Sequence, residues 1–432
     1  MRMRLAAFAA CIVAFVVAWP ATAADPAVPR QILSLDDAFA RVANSHPELR
    51  LLGARSDVLV AERDRAALRR AFVLSAIVEN AFGSGEASGL PGAELSLTLA
   101  SVLERGGKLD ARRTLAQSRI DALAIERETR RLDLLAEVAR RYLAIVAAYQ
   151  QREIAQLDIA QRKRTVASAR RRLEAGASPE SVVLTAQAAL ARAELDRARA
   201  EQRLVAARQH LAALWGERDP DFDVVARDPL QLPIIDDVTV LSELLGKTPE
   251  LAQFVDEQCI REARLQLARS SETADLDWQI GVRRLQAPDD VGLIGSASMP
   301  LGSRTRAQPE IRMAEAELTA LEIEREAKGL ALYSTLAEAH GRYRVAQVEV
   351  RRLQNDVLPK LAQAEAAAER AYRAGAISYL EWAQLQSERT ANRKQQLDAA
   401  LDAQRALIEI QRLTGQAFVA APVAASAQGT KP

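Results

Sequence analysis

Leu132-Asp133-Leu134-Leu135-Ala136-Glu137-Val138-Ala139-Arg140-Arg141-Tyr142-Leu143-Ala144-Ile145-Val146-Ala147-Ala148-Tyr149 is the stretch whose reading decides the fold. Within it Leu132, Leu135, Ala139, Tyr142, Val146 and Tyr149 alternate between the two spacings that keep an apolar seam turned toward a partner helix. Outward from this seam, Lys108 to Glu174 contains neither Pro nor Gly and consists mostly of Ala, Leu, Arg, Glu and Gln, the strong helix formers. The simplest reading is one helical rod, about 100 Å long. A rod of that length cannot be packed inside a small globular domain, so its task requires reach.

At the rod's end, Leu173-Glu174-Ala175-Gly176-Ala177-Ser178-Pro179-Glu180 predicts a reversal. Gly enters the left-handed region without penalty just past a helix, and Ser178 before Pro179 reads as an N-cap followed by a helix-starting proline. A return helix then reaches about Trp215 and stops at Gly216. The expected unit is an αα-hairpin with a tight tip.

The first residues bear on the compartment. Arg2 and Arg4, an apolar run from Leu5 to Trp19, and Ala21-Thr22-Ala23 have the form of a secretory signal over residues 1–23. Cys11 after Ala9-Ala10 hints at a lipoprotein box, but almost no apolar region precedes it. Removing the segment would leave Cys259 as the remaining cysteine, which excludes an intramolecular disulfide; it is expected to be half-buried on a helix. The chain carries 58 basic and 57 acidic residues, so no basic excess calls for nucleic acid. After residue 23 no apolar run is long enough for a membrane helix, so any bilayer crossing must use strands.

The chain then states one plan twice. After a lead from Asp25 to Gln31, Ser34-Leu35-Asp36-Asp37-Ala38 opens a helix, with Ser34 as N-cap and Asp37 completing a capping-box variant. His46-Pro47-Glu48-Leu49 opens a second, to about Arg70. Two β-patterned segments follow, Phe72 to Phe82 and Glu94 to Leu103, with Leu95, Leu97 and Leu99 alternating against Glu94, Ser96 and Thr98. Past the hairpin and a Pro-punctuated stretch to Pro233, a short helix to Leu245 and Thr248-Pro249-Glu250-Leu251 repeat the opening. Strands with Trp278, Ile280 and Val282, then Val291, Leu293, Ala297 and Met299, are joined by Pro288-Asp289-Asp290. A second rod, from about Pro309 to Arg373, turns at Ala374-Gly375-Ala376-Ile377-Ser378 and returns to about Leu413. The expected divisions are residues 1–23 signal, 24–233 first repeat, 234–415 second repeat and 416–432 a disordered tail. In each repeat two shorter helices, stacked end to end, match the rod beside them, so each repeat can wall a long cylinder.

Four strands of about ten residues have the length that crosses a bilayer when tilted. A four-stranded sheet in lipid leaves unpaired edges, so closure would need several copies, and a lumen wide enough for solute favours twelve strands or more. Two soluble β-hairpins capping a coiled coil remain the alternative. No catalytic constellation emerges: His46, His210 and His340 stand singly without zinc-type spacing. Arg105-Gly106-Gly107-Lys108-Leu109 falls short of a phosphate loop, with Val102 where a glycine is needed and Leu109 where Ser or Thr should stand. It reads as a strand-to-helix turn. Pro359 should bend the second rod, and the charged runs Arg127 to Arg131 and Arg162 to Arg172 read as solvated faces.

Taken in order and in duplicate, the Ser34-Leu35-Asp36-Asp37-Ala38 and Pro47-Glu48-Leu49 starts, Gly106-Gly107-Lys108 after a strand, Pro300-Leu301 after another, and Tyr372-Arg373-Ala374-Gly375 at a tip resemble the TolC-type outer-membrane efflux family. Glu104-Arg105-Gly106-Gly107-Lys108 and Leu358-Pro359 look most like its cobalt-zinc-cadmium (CzcC-like) branch. The resemblance covers about residues 34 to 415. It implies a mainly α fold with a small β part, in which long coiled-coil hairpins form a periplasmic helical barrel and four strands join an oligomeric transmembrane β-barrel. It implies a homotrimer in the Gram-negative outer membrane, with no enzymatic activity, cofactor or metal site of its own. Such a trimer would be the exit duct of a tripartite pump, conducting divalent heavy-metal cations from an inner-membrane resistance-nodulation-division-type transporter and a periplasmic adaptor, the membrane fusion protein. A multidrug or type I secretion channel and a soluble periplasmic scaffold are the alternatives. The implied tip contacts for the adaptor are Gly176, Ala177, Ser178, Gly375, Ala376, Ser378 and Tyr372; the implied lipid-facing residues are Leu95, Leu97, Leu99, Trp278, Ile280 and Val282. Two departures stand out. Ile377 occupies the place where the best-known channel carries an Arg that latches the closed tip with a Tyr, and Ser178 lies one residue closer to its Gly than Ser378 does.

Overall fold

The computed structural model describes residues 31–418 except 86–87, 91, 226–227 and 287–288. The signal reading of 1–23, Pro288 of the strand turn and the tail beyond Phe418 lie outside the described residues. The first run of elements is β1 (Gln31–Leu33), α1 (Leu35–Ser45), α2 (Pro47–Ala66), β2 (Val73–Glu79), β3 (Glu94–Leu103), α3 (Lys108–Asp121), α4 (Leu123–Glu174) and α5 (Glu180–Ala212). After β4 (Phe222–Val224) come α6 (Val238–Leu245), α7 (Pro249–Ser270), β5 (Leu276–Leu285), β6 (Asp290–Ser298), α8 (Ser303–Arg352), α9 (Leu358–Arg373) and α10 (Tyr379–Thr414).

The helices form a wall one layer thick. Toward the tips α4 lies between α5 and α10, and α10 lies against α8 and α9; toward the sheet α3 lies between α2 and α7, and α7 packs on α8. The wall holds because the rod seams are apolar where they meet their neighbours: Leu132, Ala139, Tyr142 and Val146 on one rod and Leu332, Leu336, Ala339, Tyr343, Ala346 and Val350 on the other are all buried. Each large side chain so buried contributes about 1.5–3 kcal/mol. Two tyrosines tie the rods to the segments that strap across them. The Tyr142 hydroxyl donates to the Leu33 carbonyl at 3.2 Å, and the Tyr343 hydroxyl donates to the Pro233 carbonyl. Burial pushes the Tyr343 hydroxyl up to about 12, so it remains a donor.

Several expectations need correction. The first rod breaks at Ala122, between α3 and α4, although the hydrogen bonds from Ala122 N to Ser118 O and from Glu126 N to Ala122 O carry the chain through. The second rod begins at Ser303, ahead of Pro309, because the carbonyl that the proline leaves unpaired belongs to exposed Thr305 and can bond water. Before Pro359 the helix widens into one π-type turn, Leu353–Val357, which accommodates the missing N–H. Helix α2 ends at Ala66, short of Arg70. Pro179, not Ser178, holds the cap position of α5, without a side-chain bond; the extra residue in the second tip lets Ser378 complete a full capping box with Glu381. Cys259 is exposed, because a helix in a one-layer wall is covered only on its flanks. The pairing of β1 with β4, parallel over three residues, was not expected from the sequence; with α1 it covers the Leu134, Val138 and Tyr142 side of α4.

Candidate functional site

Strands β2, β3, β5 and β6 form one antiparallel sheet in the order β2-β3-β5-β6. Residues directly opposite on antiparallel strands share a face. Leu97 stands opposite Ala76 and Val282, and Val282 opposite Leu293; Leu99 stands opposite Leu74 and Ile280; Leu95 stands opposite Val78 and Arg284, the charged residue of this face, which pairs with Asp289 at the turn between β5 and β6. Trp278, opposite Ser101 and Ala297, completes the same face and meets Phe72 edge-on, with ring centroids 6.2 Å apart. All six strand residues named from the sequence therefore share one apolar face, on which Leu95, Leu97, Ile280 and Val282 are exposed.

The other face is polar. Arg283 donates to Ser96 Oγ and Glu94 Oε2, each at 3.0 Å, and to Glu79 Oε2 at 3.2 Å. Within the described chain the outer edges of β2 and β6 meet no strand. No helix among the described residues is long and apolar enough to cross a membrane.

Where sheet becomes helix, the Gly-Gly-Lys turn ties the two halves of the chain together. Lys108 Nζ donates to Asp275 Oδ1 at 2.6 Å and to the Thr273 carbonyl at 2.8 Å, and the Arg105 N–H reaches the same Asp275 oxygen at 3.1 Å. Beside them Arg112 grips Glu104 through both carboxylate oxygens, at 2.6 and 2.8 Å, holding that carboxyl below its usual range.

At the far end of the rods the two tips are built alike. Gly176 and Gly375 have φ of 69° and 80°, and each helix closes by a bond from the residue after the glycine, Ala177 N to Arg172 O and Ala376 N to Ala371 O. The tips touch through Arg172, which sequence reasoning placed on a solvated face. Its guanidinium donates to the Tyr372 carbonyl, reaches the Ala177 carbonyl at 3.3 Å and lies 4.9 Å from the Tyr372 ring centre. Tyr372 stacks on Trp382 at 5.0 Å, and both are buried with Tyr379, Val166 and Val183. Gly176, Ala177, Gly375 and Ala376 lie at the turns themselves, while Tyr372 faces inward.

Above the tips the seam between α4 and α10 is polar. Arg162, read from the sequence as solvated, is buried, donating to Asp158 at 3.1 Å, Gln386 at 3.3 Å and Ser387 at 3.1 Å. Its charge is matched locally, which lets it sit in the seam. No sequence signal separates Arg162 and Arg172 from the arginines around them, because the difference is only which neighbour each one faces. Among the described residues, no three His, Cys, Asp or Glu side chains converge as metal ligands.

Known proteins share this architecture. Residues 79–217 match the sequence profile of outer membrane efflux proteins. The cobalt-zinc-cadmium resistance protein CzcC of Cupriavidus metallidurans is 29% identical over 282 residues, 65% of this chain and 67% of that protein. Among solved structures, CusC superposes with a TM-score of 0.73 at 18% identity, over 90% of this chain and 96% of that one. VceC of Vibrio cholerae gives 0.69 at 17% identity, over 89% and 97%. The fold is thus that of the TolC-like efflux channels. By the profile match over residues 79–217, the CzcC likeness and the two-faced sheet above long hairpins, this chain is similar to the outer membrane efflux proteins.

Proposed function

We propose that three copies of the chain close into a ring and form the exit duct of a tripartite pump for divalent heavy-metal cations. The observation that carries this reading is the four-stranded sheet with one apolar face, one polar face and two open edges. Bare backbone groups at those edges would each cost several kcal/mol in lipid, so β6 of one copy joins β2 of the next. Three sheets give a twelve-stranded barrel with a polar lumen. The helices support the same closure. Near the sheet the wall runs α2-α3-α7-α8 in parallel with the strand order, and both edge helices leave apolar residues exposed, Leu51 and Val58 on α2 and Ile323 and Leu330 on α8. On this reading Leu95, Leu97, Leu99, Trp278, Ile280 and Val282 face lipid. The tips around Gly176, Ala177, Ser178, Gly375, Ala376 and Ser378, with Tyr372 bracing them, meet a periplasmic adaptor that links the duct to an inner-membrane transporter. Residues 24–233 and 234–415 act as two repeats, giving the trimer six near-equivalent wall units. The likeness to a cobalt-zinc-cadmium resistance protein supports metal as the cargo.

The test is growth of a strain lacking the gene, with and without the gene restored, on cobalt, zinc, cadmium, nickel, copper and several lipophilic drugs. Sensitivity confined to certain metals and reversed by the gene is the expected result. Sensitivity to drugs alone would replace the metal reading with a multidrug one.

A further inference from the structure

A cationic notch lies just below the sheet, between the end of α2 and the start of α3. Arg65, Arg69, Arg70, Arg112 and Arg119 line a cavity of about 570 Å³, with Glu62 as the one carboxylate in its lining. Glu104, at its rim, is shared by Arg112 and by Arg70 at 3.2 Å, and Arg119 stands 3.9 Å from Glu62. Arg65 and Arg69 make no ion pair among the described residues. Arg65 lies in the last turn of α2 and Arg69 just past its end at Ala66, so both like charges sit beside the helix C-terminus, whose partial negative charge offsets only part of their repulsion. Five guanidinium forks around one recess are the arrangement that grips a tetrahedral oxyanion through paired N–H donors.

The notch opens on the polar side of the wall. Glu104 continues the two-residue register of Glu94, Ser96 and Thr98 on the sheet's polar face. Arg112 and Arg119 begin a seven-residue series continued by Glu126, Asp133 and Arg140, and the last four of these line one further groove. The opposite side of the rod, with Leu134, Val138 and Tyr142, is the one covered by α1 and β1.

We propose that this notch binds a phosphate-like oxyanion on the conduit side of the wall. Its place in the conduit rests on the channel reading above. Repeated around a closed ring, the notches would form a band that attracts anions and repels bare divalent cations, so a metal cargo would cross it most readily as a complex carrying anionic ligands. The same donors could hold the phosphate of a lipid headgroup, and the experiment separates the two sources.

Calorimetry on the detergent-solubilised oligomer would use inorganic pyrophosphate as probe, comparing wild type with the double variant R65Q/R69Q, with R65K/R69K, and with R63Q as a control whose arginine pairs with Asp64 outside the notch. The expected result is affinity for pyrophosphate that falls about tenfold or more in R65Q/R69Q, less in R65K/R69K, and not at all in R63Q. In a second arm, melting is compared in nanodiscs of phosphatidylglycerol and of phosphatidylcholine. A phosphatidylglycerol-specific stabilisation lost in R65Q/R69Q, without pyrophosphate binding, would retain the oxyanion site and make the lipid its source. No binding in either arm, or equal binding by all variants, would overturn the proposal. Reversal potentials in planar bilayers under a salt gradient test the placement, with R65Q/R69Q expected to shift selectivity toward cations. If no conductance appears at all, the channel reading fails while the calorimetry still decides the notch.

Discussion

Gly106 and Gly107 show how differently two adjacent residues of one motif are constrained. Both have left-handed backbones, with φ of 74° and 76°, but a Cβ on Gly106 would lie 2.6 Å from Thr273 Cβ and 2.7 Å from the Ser270 carbonyl, while one on Gly107 meets open space. Gly106→Ala is therefore expected to cost about 2–4 kcal/mol and Gly107→Ala only about 1 kcal/mol, read by thermal melting of the solubilised protein. Equal costs would mean that the turn does not press on the Ser270–Thr273 segment. Tyr372 offers a second test, because its hydroxyl is buried without a hydrogen-bond partner among the described residues. Tyr372→Phe should leave the stacking on Trp382 intact and gain about 1 kcal/mol; a loss would show that the hydroxyl bonds to another molecule in the assembly. Asp256 is a third. Burial, aided by the nearby Asp121 carboxylate, raises its pKa, and its Oδ2 is buried without a partner among the described residues. Between the ordinary carboxylate value and the raised folded value the native state holds more proton than the unfolded chain, so stability falls as pH rises through that window. Asp256→Asn should therefore stabilise by about 1 kcal/mol at neutral pH, with the gain fading as pH drops below the usual carboxylate range.

At the scale of the element, the sheet makes the clearest commitment. Leu97→Arg places a charge on the apolar face and should lower the yield of assembled oligomer in the outer membrane, by about 2–4 kcal/mol if the residue sits at midplane. Ser296→Arg, on the polar face of β6, should assemble normally. The reverse pattern would exchange the two faces. These faces were legible in the sequence because a strand's period is two and every second residue of β3 is leucine or a small polar group. The rods and tips were legible because a run without Pro or Gly ending at Gly176 or Gly375 has one economical reading. What escaped has physical causes. Strands β1 and β4 are three residues long and far apart in the chain, too short to carry a period. Pro359 announced a disturbance, but whether a helix bends or widens depends on its packing against α10. Arg162 and Arg172 are chemically the same as their exposed neighbours, and only the crossing of the two hairpins distinguishes them.

On the scale of the whole molecule, a wall one helix thick with a sheet at its end buries little surface of its own. Val345 and Val348 on α8 and Leu184 on α5 are exposed along both lower margins, as Leu51 and Ile323 are along the upper ones. Helix edges and strand edges fall on the same two flanks, so one rotation can satisfy both, and a head-to-tail contact that closes gives a ring. This closure is the central claim, because lumen, lipid face and tip ring all follow from it. Its most direct test is native mass spectrometry of the particle extracted in detergent from outer membranes. The account predicts a mass of three mature chains; a particle of one or two chains would contradict it.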